Sequence, residues 1–313
     1  MSTEGHCFRI DFKIEVISMD EESGEFEFHL IPDPERYERI IFSGENGWLD
    51  KLDQSFISDE QMENLAASLA HKPIYASFPV IEDADEYVEL RRKAIFQSFV
   101  EESEPYEFRD TSEELLARLD REKQRFVVIY CDLTGSTELS QAISPEQNAR
   151  IISVFSREIA QLAPLFHAYV LKFIGDGATL YLPEPNFIGK NDLALDCSLA
   201  IRKLVLDAIN PVLKSRKLPT LGIKIGIDSG EAVVTTVGSP VSKSHKDLIG
   251  ETVNLAAKIQ SLADTNQILV GQSTAENVHT MWRRHLHRIE PGEEWKYRDR
   301  KSGQVYTVYS LDW

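Results

Sequence analysis

The chain has 313 residues, and its 51 acidic and 34 basic side chains give a formal net charge of −17. This length suggests two domains with ample chain for a buried core. A hydrophobic content of 42% with 27% charged residues argues against a disordered chain. The acidic charge argues against a binder of nucleic acid or anionic membranes, which needs a basic face. No apolar run is long enough to span a bilayer.

The acidic excess is confined to the first part of the chain. Residues 1–125 carry 31 acidic and 14 basic side chains, whereas residues 126–313 carry 20 of each. This boundary predicts two units with different roles. The three cysteines (Cys7, Cys131 and Cys197) match no zinc or redox spacing, and the first residues show no signal-peptide pattern. These features predict reduced thiols and a soluble, cytoplasmic protein.

The first unit is predicted to be a small α+β module over residues 1–110, followed by a helical linker over 111–124. Residues 8–16 and 26–30 alternate between apolar and polar side chains across a Gly-containing turn, which predicts a β-hairpin. Helices are predicted over 59–71, after a Ser58/Gln61 capping box, and over 82–98 and 112–123. The module carries no recognisable chemistry. A regulatory role, a structural extension and a partner-binding surface all stay open.

Residues 125–313 are predicted to form one larger domain that begins with the apolar run FVVIYCD, typical of a strand buried on both faces. The pattern predicts an antiparallel-rich sheet with helices on one face. The predicted elements are a helix at 144–163 with Pro145 in its first turn, a hairpin of 168–174 and 178–182, a helix at 191–217, a second hairpin of 221–228 and 231–237 around Ser229-Gly230, a helix at 251–263 and a strand at 267–270.

Two aspartates in this domain lie where strands end. Asp132 ends the first buried strand, and Asp176 lies in a Gly-Asp-Gly hairpin turn. Two carboxylates at adjacent strand ends can bridge two divalent cations that are bound together with a nucleoside triphosphate. The small residues that follow Asp132 leave room for phosphates, and they are Thr134, Gly135, Ser136 and Thr137. Taken singly, the two aspartates are more typical of a helix cap and a turn residue than of a metal site.

Three spaced segments carry a resemblance to a known family. YCDLTGST, KFIGDG and HKDLIGETVNLAAKIQ resemble the three signature segments of class III nucleotidyl cyclases, in the family's order. The resemblance covers about residues 125–311. It implies a ferredoxin-like βαββαβ core and a head-to-tail homodimer with its active sites at the interface. It further implies that Asp132, Asp176 and the Leu133 carbonyl hold two Mg²⁺ or Mn²⁺ ions per site, with in-line attack of the ribose 3′-hydroxyl on the α-phosphorus and release of pyrophosphate.

The resemblance also assigns base recognition to Lys172 and Asp247. Adenine presents an acceptor and an amino donor on its pairing edge, which a lysine and an aspartate satisfy together. The sequence therefore predicts an adenylate cyclase that converts ATP to 3′,5′-cyclic AMP. A cyclase for GTP or for a pyrimidine nucleotide in anti-phage signalling stays open as the alternative.

Position 258 departs from the expected family pattern. Asn254 matches the ribose-orienting asparagine, but position 258, where the family commonly has a phosphate-clamping arginine, is Lys258. Lysine keeps the charge and loses the bidentate fork, so Arg150 is considered as a substitute, and a catalytically weak nucleotide-binding signalling protein stays open. Lys296 is predicted to bind the β- and γ-phosphates, with Arg298 and Lys301 nearby as alternatives.

Overall fold

The computed structural model describes residues 11–19, 26–52, 54–69, 80–81, 83–100, 111–183, 189–239, 241–300 and 302–313. The contacts within the chain divide it into two compact units. The first unit combines Met1–Tyr75 with Asn277–Arg284, and the second combines Ala76–Glu276 with His285–Trp313. Within the described residues, no helix is both long enough and apolar enough to cross a bilayer.

The first unit contains two small antiparallel sheets and a helix. Its elements are β1 (Phe12–Met19) paired with β2 (Phe26–Pro32), then β3 (Tyr37–Phe42), β4 (Glu45–Asp50) and β5 (Phe56–Ser58) in one sheet, and α1 (Asp59–Leu69). The predicted hairpin and the predicted capping box are confirmed, since Ser58 and Gln61 exchange hydrogen bonds of 3.0 and 3.2 Å. The start of the first predicted strand and most of its turn lie outside the described residues.

Segment 277–284 completes the first unit from the far end of the chain. The Thr280 hydroxyl donates a 2.7 Å hydrogen bond to Asp11, and the His279 ring lies 3.5 Å from Asp33. Two further side chains of this segment, Val278 and Trp282, are buried. The first unit is therefore discontinuous in sequence.

The second unit is built on one eight-stranded sheet in the order β12-β13-β11-β9-β6-β8-β7, with β10 paired to β9. Its elements are α2 (Ala84–Val100), α3 (Thr111–Arg118), β6 (Lys123–Thr134), α4 (Ser136–Ala142), α5 (Pro145–Leu162), β7 (Tyr169–Ile174), β8 (Gly177–Leu182), α6 (Lys190–Lys203), α7 (Asn210–Ser215), β9 (Gly222–Gly238), β10 (Ser244–Ile249), α8 (Glu251–Leu262), β11 (Ile268–Gly271), α9 (Gln272–Ala275), β12 (Leu286–Ile289) and β13 (Val308–Leu311). A π-helical segment, Leu204–Ile209, joins α6 to α7.

The centre of this sheet confirms the predicted ferredoxin-like core. Strands β9, β6, β8 and β7 are neighbours in that order and all pair antiparallel, with helices inserted after β6 and after β8. Helix α2, which the sequence analysis assigned to the N-terminal module, packs on the π-helical segment within the second unit.

Helices cover both faces of the sheet, so the prediction of helices on one face is wrong. Alternate residues of β6 face opposite ways, and Cys131 lies on the face that α6 covers. Helix α8 covers the other face, where β9 has glycine at 226. A Cβ at Gly226 would lie 2.4 Å from the Ala256 carbonyl oxygen of α8. The bare backbone therefore lets this helix lie directly on the strand.

The predicted hairpin around Ser229-Gly230 is also wrong. Both residues lie in the middle of the 17-residue strand β9, and the chain turns back only after Gly238 to form β10. A Cβ at Gly230 would lie 3.1 Å from Cβ of Thr252 in α8. This glycine makes room for a helix, and a turn-forming dipeptide alone does not distinguish that role from a turn.

Candidate functional site

Asp132 and Asp176 come together at one end of the β6–β8 pair. Asp132 lies opposite Gly177 in the ladder, and the Leu133 amide is 3.4 Å from the Asp176 carbonyl oxygen. A Cβ at position 177 would lie 2.7 Å from Asp132 Oδ1. The glycine after Asp176 is therefore needed to accommodate the Asp132 carboxylate.

The electrostatics of this pair suit a divalent cation. Burial raises the pKa of Asp132, the negative charge of Asp176 raises it further, and Lys224 opposes both effects. Asp176 Oδ2 is buried and has no hydrogen-bond partner among the described residues. An orphaned carboxylate oxygen facing a second carboxylate fits an oxygen-ligated cation. No group of three or more His, Cys, Asp or Glu side chains in the described part of the chain forms an alternative centre.

The segment predicted to face the phosphates connects β6 to α4. The Thr134 hydroxyl accepts a 3.3 Å hydrogen bond from Thr265, and Gly135 has a φ of 79°, which favours glycine. Ser136 and Thr137 begin α4, where the first backbone amides have no partner within the helix. The phosphate-binding role of these four residues stays a prediction.

Lys172 and Asp247, 75 residues apart in sequence, form an ion pair. Lys172 Nζ in β7 donates to Asp247 Oδ2 in β10 at 2.6 Å. Asp247 is buried, and its Oδ1 accepts a 2.9 Å hydrogen bond from the Leu248 amide. The His245 ring nitrogen lies 3.8 Å from the same Oδ2. The donor and acceptor predicted to recognise the base therefore lie within contact distance of each other.

Asn254 and Lys258 line an open cleft of about 640 Å³. They lie one turn apart on the exposed face of α8. The opposite wall is the 295–306 hairpin, of which residues 295–300 and 302–306 are described. It contributes Tyr297 and Arg300, and Arg300 Nε lies 2.5 Å from Glu251 Oε2. The cleft is therefore lined by a lysine from α8 and an arginine from the hairpin.

Arg300 is the cation that the sequence analysis missed. Lys296 is exposed and is not among the described residues that line the cleft. Its neighbours Trp295 and Tyr297 pack together, with ring centres 4.7 Å apart. Alternation along the extended segment places Lys296 on the face opposite to Trp295 and Tyr297. It does not identify Arg300, which lies in a turn, so no local pattern in the sequence indicated that residue. Arg298 donates to the Gly303 carbonyl oxygen at 3.0 Å, and residue 301 is outside the described ranges.

Arg150 is not brought together with Lys258. It belongs to α5, donates a 2.8 Å hydrogen bond to the Ser98 carbonyl oxygen and lies 5.0 Å from the ring centre of Phe99. Arg150 therefore caps the carboxyl end of α2. Within one chain it lines a different pocket, together with Phe99 and Arg216.

Comparisons with known proteins agree with this geometry. Residues 120–309 match the family described as the adenylate and guanylate cyclase catalytic domain. An adenylate cyclase from Anabaena cylindrica is 26% identical over 161 residues, covering 50% of this chain and 31% of that protein. Adenylate cyclase 1 from Rhizobium meliloti is 24% identical over 141 residues, covering 45% and 21%. The match thus spans about a third or less of these curated relatives.

Solved structures show the same fold. The adenylyl cyclase CyaB from P. aeruginosa has a TM-score of 0.52 at 20% identity, covering 61% of this chain and 94% of that one. The guanylyl cyclase Cya2 has a TM-score of 0.52 at 19% identity, covering 61% and 93%. With a ferredoxin-like core, a carboxylate pair at the β6–β8 end and a family match over most of the second unit, this chain belongs to the adenylate and guanylate cyclase catalytic domain family.

Proposed function

We propose that this protein is an adenylate cyclase that converts ATP to 3′,5′-cyclic AMP and pyrophosphate at the interface of a homodimer. Family membership supports a nucleotidyl cyclase, and one observation supports adenine in particular. Lys172 and Asp247 form a 2.6 Å pair in which a donor lies beside an acceptor. Adenine offers the matching acceptor and donor, whereas guanine offers a carbonyl and an N–H at the same edge.

Base binding exchanges partners within this pair. Lys172 donates to adenine N1, and Asp247 accepts from the exocyclic amino group. The Leu248 amide holds the second Asp247 oxygen at 2.9 Å, so the carboxylate stays oriented when the lysine turns to the base. A guanine base would place its N–H against Lys172 and its carbonyl against Asp247, leaving buried polar groups without complementary partners.

Asp132, Asp176 and the Leu133 carbonyl are the residues that would hold divalent cations. When bound, such cations lower the pKa of the ribose 3′-hydroxyl and neutralise triphosphate charge. The protein itself provides two carboxylates that are held close together, and burial first and the charge of Asp176 second raise the pKa of Asp132. It also provides clearance beside them at Gly177.

The cleft beside α8 takes the ribose and the phosphates in this proposal. Asn254 hydrogen-bonds the ribose, while Lys258 and Arg300 place positive charge against the phosphate oxygens as negative charge develops on them. The Arg300–Glu251 pair is exposed, and exposed pairs contribute little stability. Phosphate can therefore displace Glu251 from Arg300, which restores a bidentate guanidinium to a site where position 258 is lysine.

Exposed apolar side chains lie next to the carboxylate pair and next to Asp247, and they support a dimer. Phe173 and Ile174 immediately precede the turn that carries Asp176, and they are 43% and 46% exposed. Ile249, at the end of the strand that carries Asp247, is 55% exposed. Apolar groups exposed next to functional residues are typical of a surface that a partner covers. A second copy would bring the carboxylate pair of one protomer to the α8 cleft of the other.

The substrate is tested by incubating the purified chain with ATP, GTP, CTP or UTP, each with Mg²⁺ or Mn²⁺, and identifying products by mass spectrometry. We expect cyclic AMP from ATP, with turnover of the other nucleotides lower by about tenfold or more, because each mismatched polar contact costs on the order of 1–3 kcal/mol. A cyclic guanine or pyrimidine product as the main species would contradict the adenine assignment. The absence of product from all four nucleotides would contradict the cyclase activity.

Substitutions of Arg300 and of Lys296 are expected to have different effects on the KM for ATP. Arg300→Ala is expected to raise the KM for ATP by about tenfold or more, since charge-assisted hydrogen bonds contribute about 1.5–3 kcal/mol. Lys296→Ala removes a neighbouring cation that does not line the cleft, so its KM should stay within about twofold. Steady-state kinetics on both variants measure this difference. A large effect from Lys296 with none from Arg300 would restore the assignment made from sequence.

A further inference from the structure

Asp228 is a buried carboxyl group beneath the cleft that has no part in the proposed chemistry. It lies in the middle of β9, is 1% exposed and faces α8. Glycines occupy the positions two residues before and after it, Gly226 and Gly230, where a side chain would press on α8. On the neighbouring strand β11, a Cβ at Gly271 would lie 2.3 Å from Asp228 Oδ1. The backbone on both strands leaves space for this carboxylate and for the helix above it.

A hydrogen-bond chain connects Asp228 to the opposite wall of the cleft. The Tyr306 hydroxyl donates to Asp228 Oδ1 at 2.7 Å and accepts from the Ser273 amide at 2.9 Å. The Tyr306 carbonyl oxygen accepts from Trp295 Nε1 at 2.8 Å, and its amide donates to the Tyr297 carbonyl oxygen at 2.9 Å. Tyr297 in turn lines the cleft. Both strands of the 295–306 hairpin are therefore tied to one buried carboxylate.

We propose that Asp228 is a positioning residue that sets, through Tyr306, the separation between α8 and the 295–306 hairpin. The two walls carry different cations, Lys258 on α8 and Arg300 on the hairpin, and both must reach the same phosphate chain. A shift of about 1 Å between them would misplace one of the two contacts. The inference rests on the proposed function, because that function makes the cleft a nucleotide site.

The ionisation of Asp228 gives the network a pH dependence. Burial raises the pKa of Asp228 to about 7, while hydrogen bonds from Tyr306 and the Ser229 amide lower it and Glu251 of α8 raises it further. Burial and then the charge of Asp228 raise the pKa of the Tyr306 hydroxyl, and Glu276, which follows α9, raises it further. Because the folded pKa lies above the ordinary value, the folded state binds the proton more tightly than the unfolded state. Stability from this group is greatest in acid and is lost as the pH rises through about 7.

The test compares Asp228→Ala, Asp228→Asn and Tyr306→Phe with Tyr181→Phe. Tyr181→Phe is a matched control, because it also removes a hydrogen bond of a buried tyrosine hydroxyl, in this case with Ser112. Tyr181 is not among the residues that line the cleft. Asp228→Ala and Tyr306→Phe should each raise the KM for ATP about tenfold with a smaller change in kcat, as expected from the loss of one hydrogen bond to a charged group. Asp228→Asn keeps an acceptor for Tyr306, so its KM should stay within about threefold. Asp228 contributes to a decrease in the Tm of the wild type between pH 5 and pH 8, and this contribution should be absent in Asp228→Asn.

Hydrogen–deuterium exchange on the same variants measures the local stability of the hairpin and does not depend on enzymatic turnover. Peptides covering 295–306 should exchange faster in Asp228→Ala and Tyr306→Phe than in wild type or Tyr181→Phe. Unchanged exchange there, or a KM change equally large in Tyr181→Phe, would overturn the proposal. If wild type forms no cyclic nucleotide, the proposed function fails, and the exchange comparison still decides whether Asp228 holds the hairpin.

Discussion

Asp132→Ala is expected to lower kcat/KM by at least about 10³-fold, equivalent to roughly 4 kcal/mol of transition-state stabilisation, with both Mg²⁺ and Mn²⁺. Asp132 and Asp176 are the only carboxylates that the described residues place together at the β6–β8 end, so nothing there can substitute for either one. Asp207→Ala is the matched control. Asp207 is an exposed residue of the π-helical segment and pairs with Lys203. The activity of the Asp207→Ala variant should equal that of wild type.

A thermal scan separates lost metal binding from lost folding in this variant. Without metal, Asp132→Ala should melt no lower than wild type, because the substitution removes the repulsion between Asp132 and Asp176. Saturating Mn²⁺ at about 100 times Kd should stabilise wild type by about 2.7 kcal/mol, or about 5–10 °C in Tm, and leave the variant unchanged. Equal metal-induced shifts in both proteins would show that the cations bind elsewhere.

A mixture of two inactive variants is expected to regain activity. If Asp132 and Asn254 act in the same site but come from different protomers, then Asp132→Ala and Asn254→Ala each inactivate both sites of their own homodimer. A heterodimer of the two variants has one fully intact site. Random exchange of equal amounts should therefore restore about a quarter of wild-type activity.

The outcome of mixing depends on subunit exchange, so one variant should carry an affinity tag, and its co-purification with the untagged variant should accompany the assay. A matched mixture of Asp132→Ala with Asp176→Ala must stay inactive, because both substitutions damage the same carboxylate pair. The mixture of Asp132→Ala and Asn254→Ala could also stay as inactive as the two separate variants, even though their subunits exchange. That result would place all site residues within one protomer. A monomer that is fully active would also contradict the interface site.

The sequence predicted the core strands and the residues at their ends because these obey local rules. The continuous apolar run that ends in Asp132 predicts a buried strand. The two glycines that flank Asp176 predict a turn. The pairing of Lys172 with Asp247 came from the family resemblance, since no local pattern relates two residues on different strands. Strands β7 and β10 are not neighbours in the sheet, so their contact depends on the tertiary fold and not on strand pairing.

The failures share a physical cause, which is that tertiary packing decides what a local pattern means. Gly230 has the sequence context of a turn and instead provides clearance for α8. Lys296 has a suitable charge, but among the described residues it is Arg300 that lines the cleft, so the phosphate-binding role of Lys296 stays a prediction. Asp228 could not be found from sequence, because a single aspartate in a strand gives no sign of a Tyr306 hydroxyl 78 residues later.

The discontinuity of the first unit affects the order of events during synthesis. Because Asp11 and Asp33 contact Thr280 and His279, the first unit cannot be completed until residue 284 has left the ribosome. By then strands β6 to β11 of the second unit have already emerged and can pair. The amino-terminal unit is thus among the last parts of the chain to finish folding. A chain truncated before residue 277 would therefore contain most of the sheet strands and an incomplete first unit.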